Sequence, residues 1–300
     1  MVVLMLKKNK INKSDINDIF IKDIDCNDSV MNYRKNMFAY NNIVLINGEA
    51  LEEMSNIKDS SIDCIVCDLP YGTTKNVWDS VIDLEKLWFQ FNRIIKDGGN
   101  IVLTASQPFT SKLISSNFEQ FKYEIIWVKT IGSGQLNINI MPLKKHESIL
   151  IFRKGKGKGT YNEQLDKGNP YKIKRNIKSA DCYNRQKAHE LVNSGTRRAT
   201  SVLEVEDDTK QIIQMSSEDT VWVVPNPRIK NGHPTQKPLA LLQRIIRTYS
   251  NEGDVILDCT FGSGSTGKAC QLENRKFIGI EMDTKYYEGA VEWISGNQSN

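Results

Sequence analysis

Three hundred residues, 39% hydrophobic and 25% charged, suit a globular chain built as one large α/β domain, or as one such domain carrying an inserted module. The apolar start, Met1 to Leu6, is too short for a signal sequence and its basic residues follow it, while no run approaches bilayer-spanning length; a cytoplasmic chain with no membrane partner is expected. Net charge is only +4, yet residues 151–200 hold thirteen Lys or Arg against four Asp or Glu, so the remainder is net acidic. That imbalance reads as a local polyanion-binding surface, with a solvated basic face as the alternative.

Residues 1–41 show no periodicity and read as an extension of unassigned role. From Asn42 the pattern becomes α/β. Ile43–Ile46 predicts a strand and Glu49–Met54 a short helix. Ile62–Cys67 predicts a buried strand, and Leu84–Ile95 an amphipathic helix closed by Gly98 and Gly99. Ile101–Thr104, Tyr123–Val128 and Ile149–Phe152 predict strands, with a helix over Phe109–Asn117 and a loop opening at Gly132-Ser133-Gly134. The alternation predicts a mostly parallel twisted sheet with helices on both faces.

The pattern breaks at the Lys-Gly alternation of residues 154–159, which reads as flexible and unable to pack a core. Residues 153–220 therefore read as a loop-rich insert between an N-terminal half (42–152) and a C-terminal half (221–300), closed by the acids Glu204, Glu206, Asp207 and Asp208. Pro238 fits a first helical position, followed by Leu239, Leu242, Ile245, Ile246 and Tyr249 at helical spacing and by Gly253 as the stop. Val255–Asp258 predicts a strand, and a helix from Lys268 leads to a strand over Phe277–Glu281.

Two segments carry chemistry. Asp68-Leu69-Pro70-Tyr71 follows the Ile62–Cys67 strand, where Pro70 and Gly72 stop it. A carboxylate and an aromatic ring are thereby presented at a strand's carboxyl end, where open α/β sheets bind ligands. The second segment, Gly262-x-Gly264-x-x-Gly267, lies between a strand and a helix, and Glu281 ends the next strand nineteen residues on. Strand, glycine loop, helix and distal acid in register predict an adenosine-containing cofactor; the spacing alone also permits NAD. If the two strands were neighbours, both features would face one crevice. Cys64 and Cys67 have zinc-knuckle spacing, but on one strand they point to opposite faces; buried small hydrophobes are expected, and no metal.

With Asp68–Gly72, His233–Pro238, Asp258–Gly267 and Gly279-Ile280-Glu281 in this order, the chain resembles the β-group amino methyltransferases of DNA over roughly residues 42–292, most closely adenine-N6 enzymes of phage or prophage type. The resemblance implies a Rossmann-like fold, S-adenosylmethionine as cofactor, and a target-recognition insert. It also implies that Asp68 and the Leu69 carbonyl accept the two amino protons of an extruded base while Tyr71 stacks on it. Glu281 would hold the ribose, and the loop with Phe261, Gly262 and Gly264 would pass close to the cofactor. Asp258 and Thr235, Gln236 and Lys237 would secure the methionine end, with Lys237 facing its carboxylate; His233 is expected to place Pro234. Ring-carbon methylation needs a cysteine nucleophile, typically after proline, and no cysteine follows a proline here.

The chain departs from the family pattern at Leu69, where proline is usual, and at Thr260, where phenylalanine is usual, which weakens the expected packing against the cofactor. Double-stranded DNA is the expected partner, its phosphates met by Lys154, Lys156, Lys158, Arg175, Lys178, Arg185, Arg197 and Arg198 with Tyr161, Tyr171 and Tyr183 interleaved. Adenine N6 is preferred to cytosine N4 because the tetrapeptide begins with Asp. A non-catalytic DNA-binding regulator is the alternative from another class, and a nicotinamide oxidoreductase a third. The resemblance leaves room for a cognate restriction endonuclease and for a homodimer.

Overall fold

In the computed structural model, residues 36–72, 81–175, 189–198, 202–203, 222–224 and 236–296 are described. The sheet begins ahead of residue 42: β1 (Met37–Tyr40) pairs antiparallel with β2 (Ile43–Asn47). The elements that follow are α1 (Ala50–Met54), β3 (Ile62–Asp68), α2 (Leu84–Ile94), β4 (Ile95–Ala105), α3 (Phe109–Ser116), β5 (Phe121–Ser133) and β6 (Lys144–Arg153). Short strands come next: β7 (Asp166–Lys167), β8 (Tyr171–Arg175), β9 (His189–Asn193), β10 (Thr196–Arg197), β11 (Val202–Leu203) and β12 (Trp222–Val224). The chain closes with α4 (Leu239–Tyr249), β13 (Val255–Asp258), α5 (Ser265–Leu272), β14 (Lys276–Glu281) and α6 (Thr284–Ser295).

The main sheet runs β1-β2-β14-β13-β3-β4-β6-β5-β11, with β12 also on β5. Only β1 and β6 run against the other strands. Strand alternation builds two cores. Ile65 and Cys67 face α1, α2 and α3, whereas Cys64 and Val66 face α4, α5 and α6. Cys64 and Cys67 thus do lie on opposite faces of one strand, both buried. On α4 the apolar stripe is Leu241, Leu242, Ile245, Ile246 and Tyr249. Each such side chain contributes about 1.5–3 kcal/mol on burial, enough to fix which face of the helix meets the sheet. Among the described residues no helix is long and apolar enough to cross a membrane.

Four local expectations change. Gly98 and Gly99 do not close α2, which ends at Ile94; they lie within β4. The register steps from Ile62↔Ile95 to Cys64↔Asn100, so residues 96–99 bulge out of the ladder, with Gly98 at φ +76° at their turn. The Lys-Gly segment is not free of the core: Gly98 N–H donates to the Lys154 carbonyl (3.0 Å) and Lys154 N–H to the Gly99 carbonyl (3.2 Å), docking it on that bulge. The helix expected from Lys268 begins at Ser265, and Gly253 lies beyond the end of α4, in the turn before β13.

Candidate active site

The strands carrying the two chemical segments are neighbours. β13 pairs parallel with β3 through Ile256↔Cys64 and Leu257↔Ile65, so both segments emerge at the same edge. They frame one cavity of about 700 Å³, lined by Asp68 to Tyr71, Thr104, Trp127, Lys129, Glu147, Gln236, Lys237, Asp258, Thr260 to Gly262, Thr266 and Glu281. Its size suits a small organic ligand.

At the β3 end, Leu69 buries its side chain in the core. Tyr71 donates its hydroxyl to Asp68 Oδ1 at 2.8 Å, and the Thr104 hydroxyl donates to the same oxygen. Phe109 stacks on the Tyr71 ring with centroids 5.5 Å apart. Burial first, then the charges of Asp68 and Glu147, push the Tyr71 phenol well above its ordinary range, so it remains a proton donor. Asp68 Oδ2 is ion-paired to the buried ammonium of Lys237. Burial works against that ammonium's charge, but Asp68 and Glu147 outweigh it and leave its pKa raised.

Sequence reasoning placed Lys237 against a cofactor carboxylate; here it joins a network that reasoning missed. Glu147 of β6 lies 3.5 Å from Lys237 through Oε2 and is ion-paired to Lys129 of β5 through Oε1. Asp68, Thr104, Trp127, Lys129 and Glu147 alternate in phase with Val66, Val102, Ile125 and Ile149, so all five point to the α4 side. A charged residue in phase with an apolar strand was the available signal for Glu147.

At the β13 end, Gly262 (φ +54°) and Gly264 (φ +81°) use backbone conformations that favour glycine. Glu281 is buried and accepts from Gly262 N–H at 2.9 Å and Asp283 N–H at 2.8 Å. Burial raises its pKa against those hydrogen bonds. Asp258 is fully buried and its carboxyl is pushed up to about 7 by desolvation, opposed by hydrogen bonds from Thr266 and from Thr260 N–H at 3.1 Å. Phe261 is buried, its ring packed over Gly279, where any Cβ would come within 2.6 Å of it. The donor set fits an adenosyl amino acid: an acid beyond a glycine loop for the ribose diol, and a buried carboxyl for an amine.

Among the described residues, the basic candidates fall on separate segments. Lys154 donates its ammonium to the Ile95 carbonyl at 2.8 Å, and Lys156 and Lys158 follow it at the amino-terminal end of β4. From Asn100 to Ala105 that strand spans roughly 17 Å at about 3.3 Å per residue, away from the cavity. Arg197 braces the insert, donating to Asn193, Thr196 and Asn169 and lying 4.6 Å over the Tyr171 ring. Arg198 is exposed, 3.5 Å from Glu163. Arg175 ends β8. Lys178, Tyr183, Arg185, the 204–208 acids, His233, Pro234 and Thr235 lie outside the described residues.

A family model described as DNA methylase matches residues 62–292, spanning both segments and the insert between them. The chain belongs to the N6/N4 DNA methylase family. Among curated relatives, this methylase is 30% identical over 264 residues to the DNA adenine methyltransferase YhdJ of Escherichia coli, covering 81% of this chain and 79% of that one. It is 29% identical over 265 residues to the type II methyltransferase M.HpaI of Haemophilus parainfluenzae, covering 83% and 73%. Two solved structures share the fold. The M1.HpyAVI–SAM complex has a TM-score of 0.53 at 24% identity, covering 84% of the methylase and 99% of that chain. The cytosine-N4-specific PvuII methyltransferase has a TM-score of 0.56 at 16% identity, covering 87% and 89%.

Proposed function

We propose that this methylase transfers a methyl group from S-adenosylmethionine to the N6 amino group of adenine in double-stranded DNA, acting on an extruded base. The observation that carries the reading is the single cavity shared by Asp68–Tyr71 on β3 and the glycine loop of β13. The adjacent relative named an adenine methyltransferase and the Asp that opens the tetrapeptide support adenine over cytosine.

An exocyclic amine conjugated to a base is a poor nucleophile because its lone pair is delocalised. The Asp68 carboxylate and the Leu69 carbonyl each accept one N–H, which favours a pyramidal nitrogen with its lone pair directed at the methyl donor. Only the backbone of Leu69 is needed, so its buried side chain serves the core while its carbonyl serves the site. Tyr71, backed by Phe109, offers its ring to the base. Glu281 holds the ribose hydroxyls, and Asp258 the amino group of the methionine end. When bound, S-adenosylmethionine supplies an electrophilic methyl carbon whose C–S bond breaks as the C–N bond forms. Asp68 takes the surplus N–H proton and passes it to solvent. Positioning and fixed charge do the catalysis, with no covalent intermediate.

The test is methyl incorporation from labelled S-adenosylmethionine into unmethylated genomic DNA, wild type against Asp68→Ala, followed by nucleoside analysis. Label in N6-methyladenine that disappears in the variant is expected. Label in N4-methylcytosine would overturn the base assignment. DNA and cofactor binding without label would favour a regulator built on this scaffold.

A further inference from the structure

Four charged groups that line the cavity form one ion-pair network. Asp68 and Glu147 contribute two carboxylates, Lys129 and Lys237 two ammoniums. Asp68 has a place in the transfer chemistry, and Lys237 is ion-paired to it. Glu147 has no such place: it is 8% exposed, it lies one strand beyond Thr104, and its Oε2 makes no hydrogen bond among the described residues. A buried carboxylate held this way is a weak source of stability, since well-packed apolar residues usually do as well. What it does supply is geometry.

We propose that Glu147 is a positioning residue for methyl transfer, binding Lys129 and facing Lys237 so that the Lys237 ammonium stays on Asp68 Oδ2. This rests on the amine-methylation reading above. Held there, Lys237 fixes one oxygen of the Asp68 carboxylate, while Tyr71 and Thr104 fix the other. Asp68 then meets the amine as a rigid acceptor. Without Glu147, Lys129 and Lys237 would face a single carboxylate, with Lys144 also nearby. Burial, and then Lys129, lower the Lys144 pKa against the opposing pull of Glu147, so Lys144 senses both members of that ion pair. Two ammoniums competing for Asp68 would displace its carboxylate from the position the base requires.

Among the described residues, the charged and titratable groups around Asp68 are Tyr71 on its own turn, Lys237 before α4 and Asp258 on β13, with Glu147 and Lys144 on β6 and Lys129 on β5 joined to them through Glu147. Their balance gives the test a sign. Glu147→Gln leaves the set one charge more positive and Lys129→Met one charge more negative. The double variant restores neutrality.

Single-turnover methyl transfer to unmethylated genomic DNA would be measured against pH at saturating S-adenosylmethionine. Dissociation constants for cofactor and DNA would be measured alongside. Glu147→Gln is expected to lower the transfer rate about tenfold, with both dissociation constants within about twofold of wild type. The acidic limb of the profile should move to lower pH in Glu147→Gln and to higher pH in Lys129→Met, because added positive charge resists protonation of the site's carboxylates and removed positive charge assists it. The double variant should recover the wild-type limb and much of the rate. Shifts of the same sign in both single variants, or a loss confined to binding, would overturn the proposal. So would a wild-type profile in Lys129→Met, which decides the matter if Glu147→Gln does not fold. Active wild type with unaffected variants would sink this inference alone; wild type that transfers no methyl group would sink the methylation reading with it.

Discussion

The hydroxyl of Thr260 donates to the main-chain carbonyl of Asp68 at 3.1 Å, joining the glycine loop to the Asp68–Tyr71 turn across 192 residues of sequence. The family resemblance led to an expectation of phenylalanine near this loop and of weaker packing in its absence. The structure shows a different bond in its place, one that ties the end of β13 to the end of β3. Phe261, next in sequence, turns into the core over Gly279.

Thr260→Val keeps the shape and removes that bond, leaving the Asp68 carbonyl without its donor. A loss of about 1 kcal/mol is expected, or about fivefold in the single-turnover rate if it is felt in the transition state. Thr260→Ser should stay near wild type. Transfer at wild-type rate in the valine variant would show that the two segments are aligned by the β3–β13 pairing alone.

Asp258 makes the fold and the cofactor pull in opposite directions with pH. Its folded-state carboxyl titrates near 7, above the ordinary 3.8, because burial disfavours its charge. The folded protein therefore holds a proton that the unfolded chain releases. The stability this confers is full below about pH 4 and is lost as pH rises to about 7, with a limiting slope of about 1.4 kcal/mol per pH unit. A cationic amine beside Asp258 favours the ionised form, so cofactor affinity should rise through the same window. Melting temperature and cofactor dissociation constant, each followed against pH, check both signs. Asp258→Asn should flatten both curves, and a variant that retained the wild-type slopes would assign the titration to another group.

Much of this arrangement was legible before the structure. Apolar runs marked β3 and β13, and Pro70 and the glycine loop marked where each strand ends. The four-member charge network was not legible, for a physical reason. Charged residues at strand ends interrupt the apolar pattern, so β6 read as starting at Ile149 and β5 as ending at Val128, which left Glu147 and Lys129 off the sheet. Their meeting depends on the register that sets Glu147 opposite Trp127, and on Lys237 arriving from far along the chain. The docking of residues 154–159 was hidden similarly, since glycine alternation says nothing of a bulge in another strand that can accept it.

Two glycines separate backbone need from simple tolerance. At Gly264 φ is +81°, and an added Cβ would lie 2.7 Å from the Ala290 Cβ on α6. Gly264→Ala is expected to cost about 1–3 kcal/mol from backbone strain and overpacking, and to weaken cofactor binding with it. Gly289, exposed within α6, has nothing within 4 Å of its added Cβ. Gly289→Ala should gain about 0.5–1 kcal/mol from helix propensity. Denaturant midpoints of the two variants should move in opposite directions; a stabilised Gly264→Ala would mean that α6 gives way at little cost.

Residues 162–166 are held to the C-terminal part of the chain along α4. Asn162 N–H donates to the Thr248 carbonyl at 2.8 Å, and its side chain to the carbonyls of Arg247 and Ser250 at 3.1 and 2.9 Å. One turn nearer the cavity, Arg244 donates to both oxygens of Asp166, at 2.6 and 3.0 Å, on the strand that pairs with β10. This part of the chain therefore climbs the helix that begins just after Lys237, so on the proposed reading α4 would link DNA contact by the insert to the cavity. Asp166→Asn weakens a charge-assisted pair worth about 1.5–3 kcal/mol gross, part of it screened because Asp166 is a third exposed. DNA affinity should fall several-fold with cofactor affinity unchanged, as measured by anisotropy and calorimetry. The deficit should persist at high salt, since the change removes no phosphate contact. Equal losses of DNA and cofactor binding would instead show that the pair supports the shared core, and unchanged DNA affinity would show that this leg of the insert carries none of the contact.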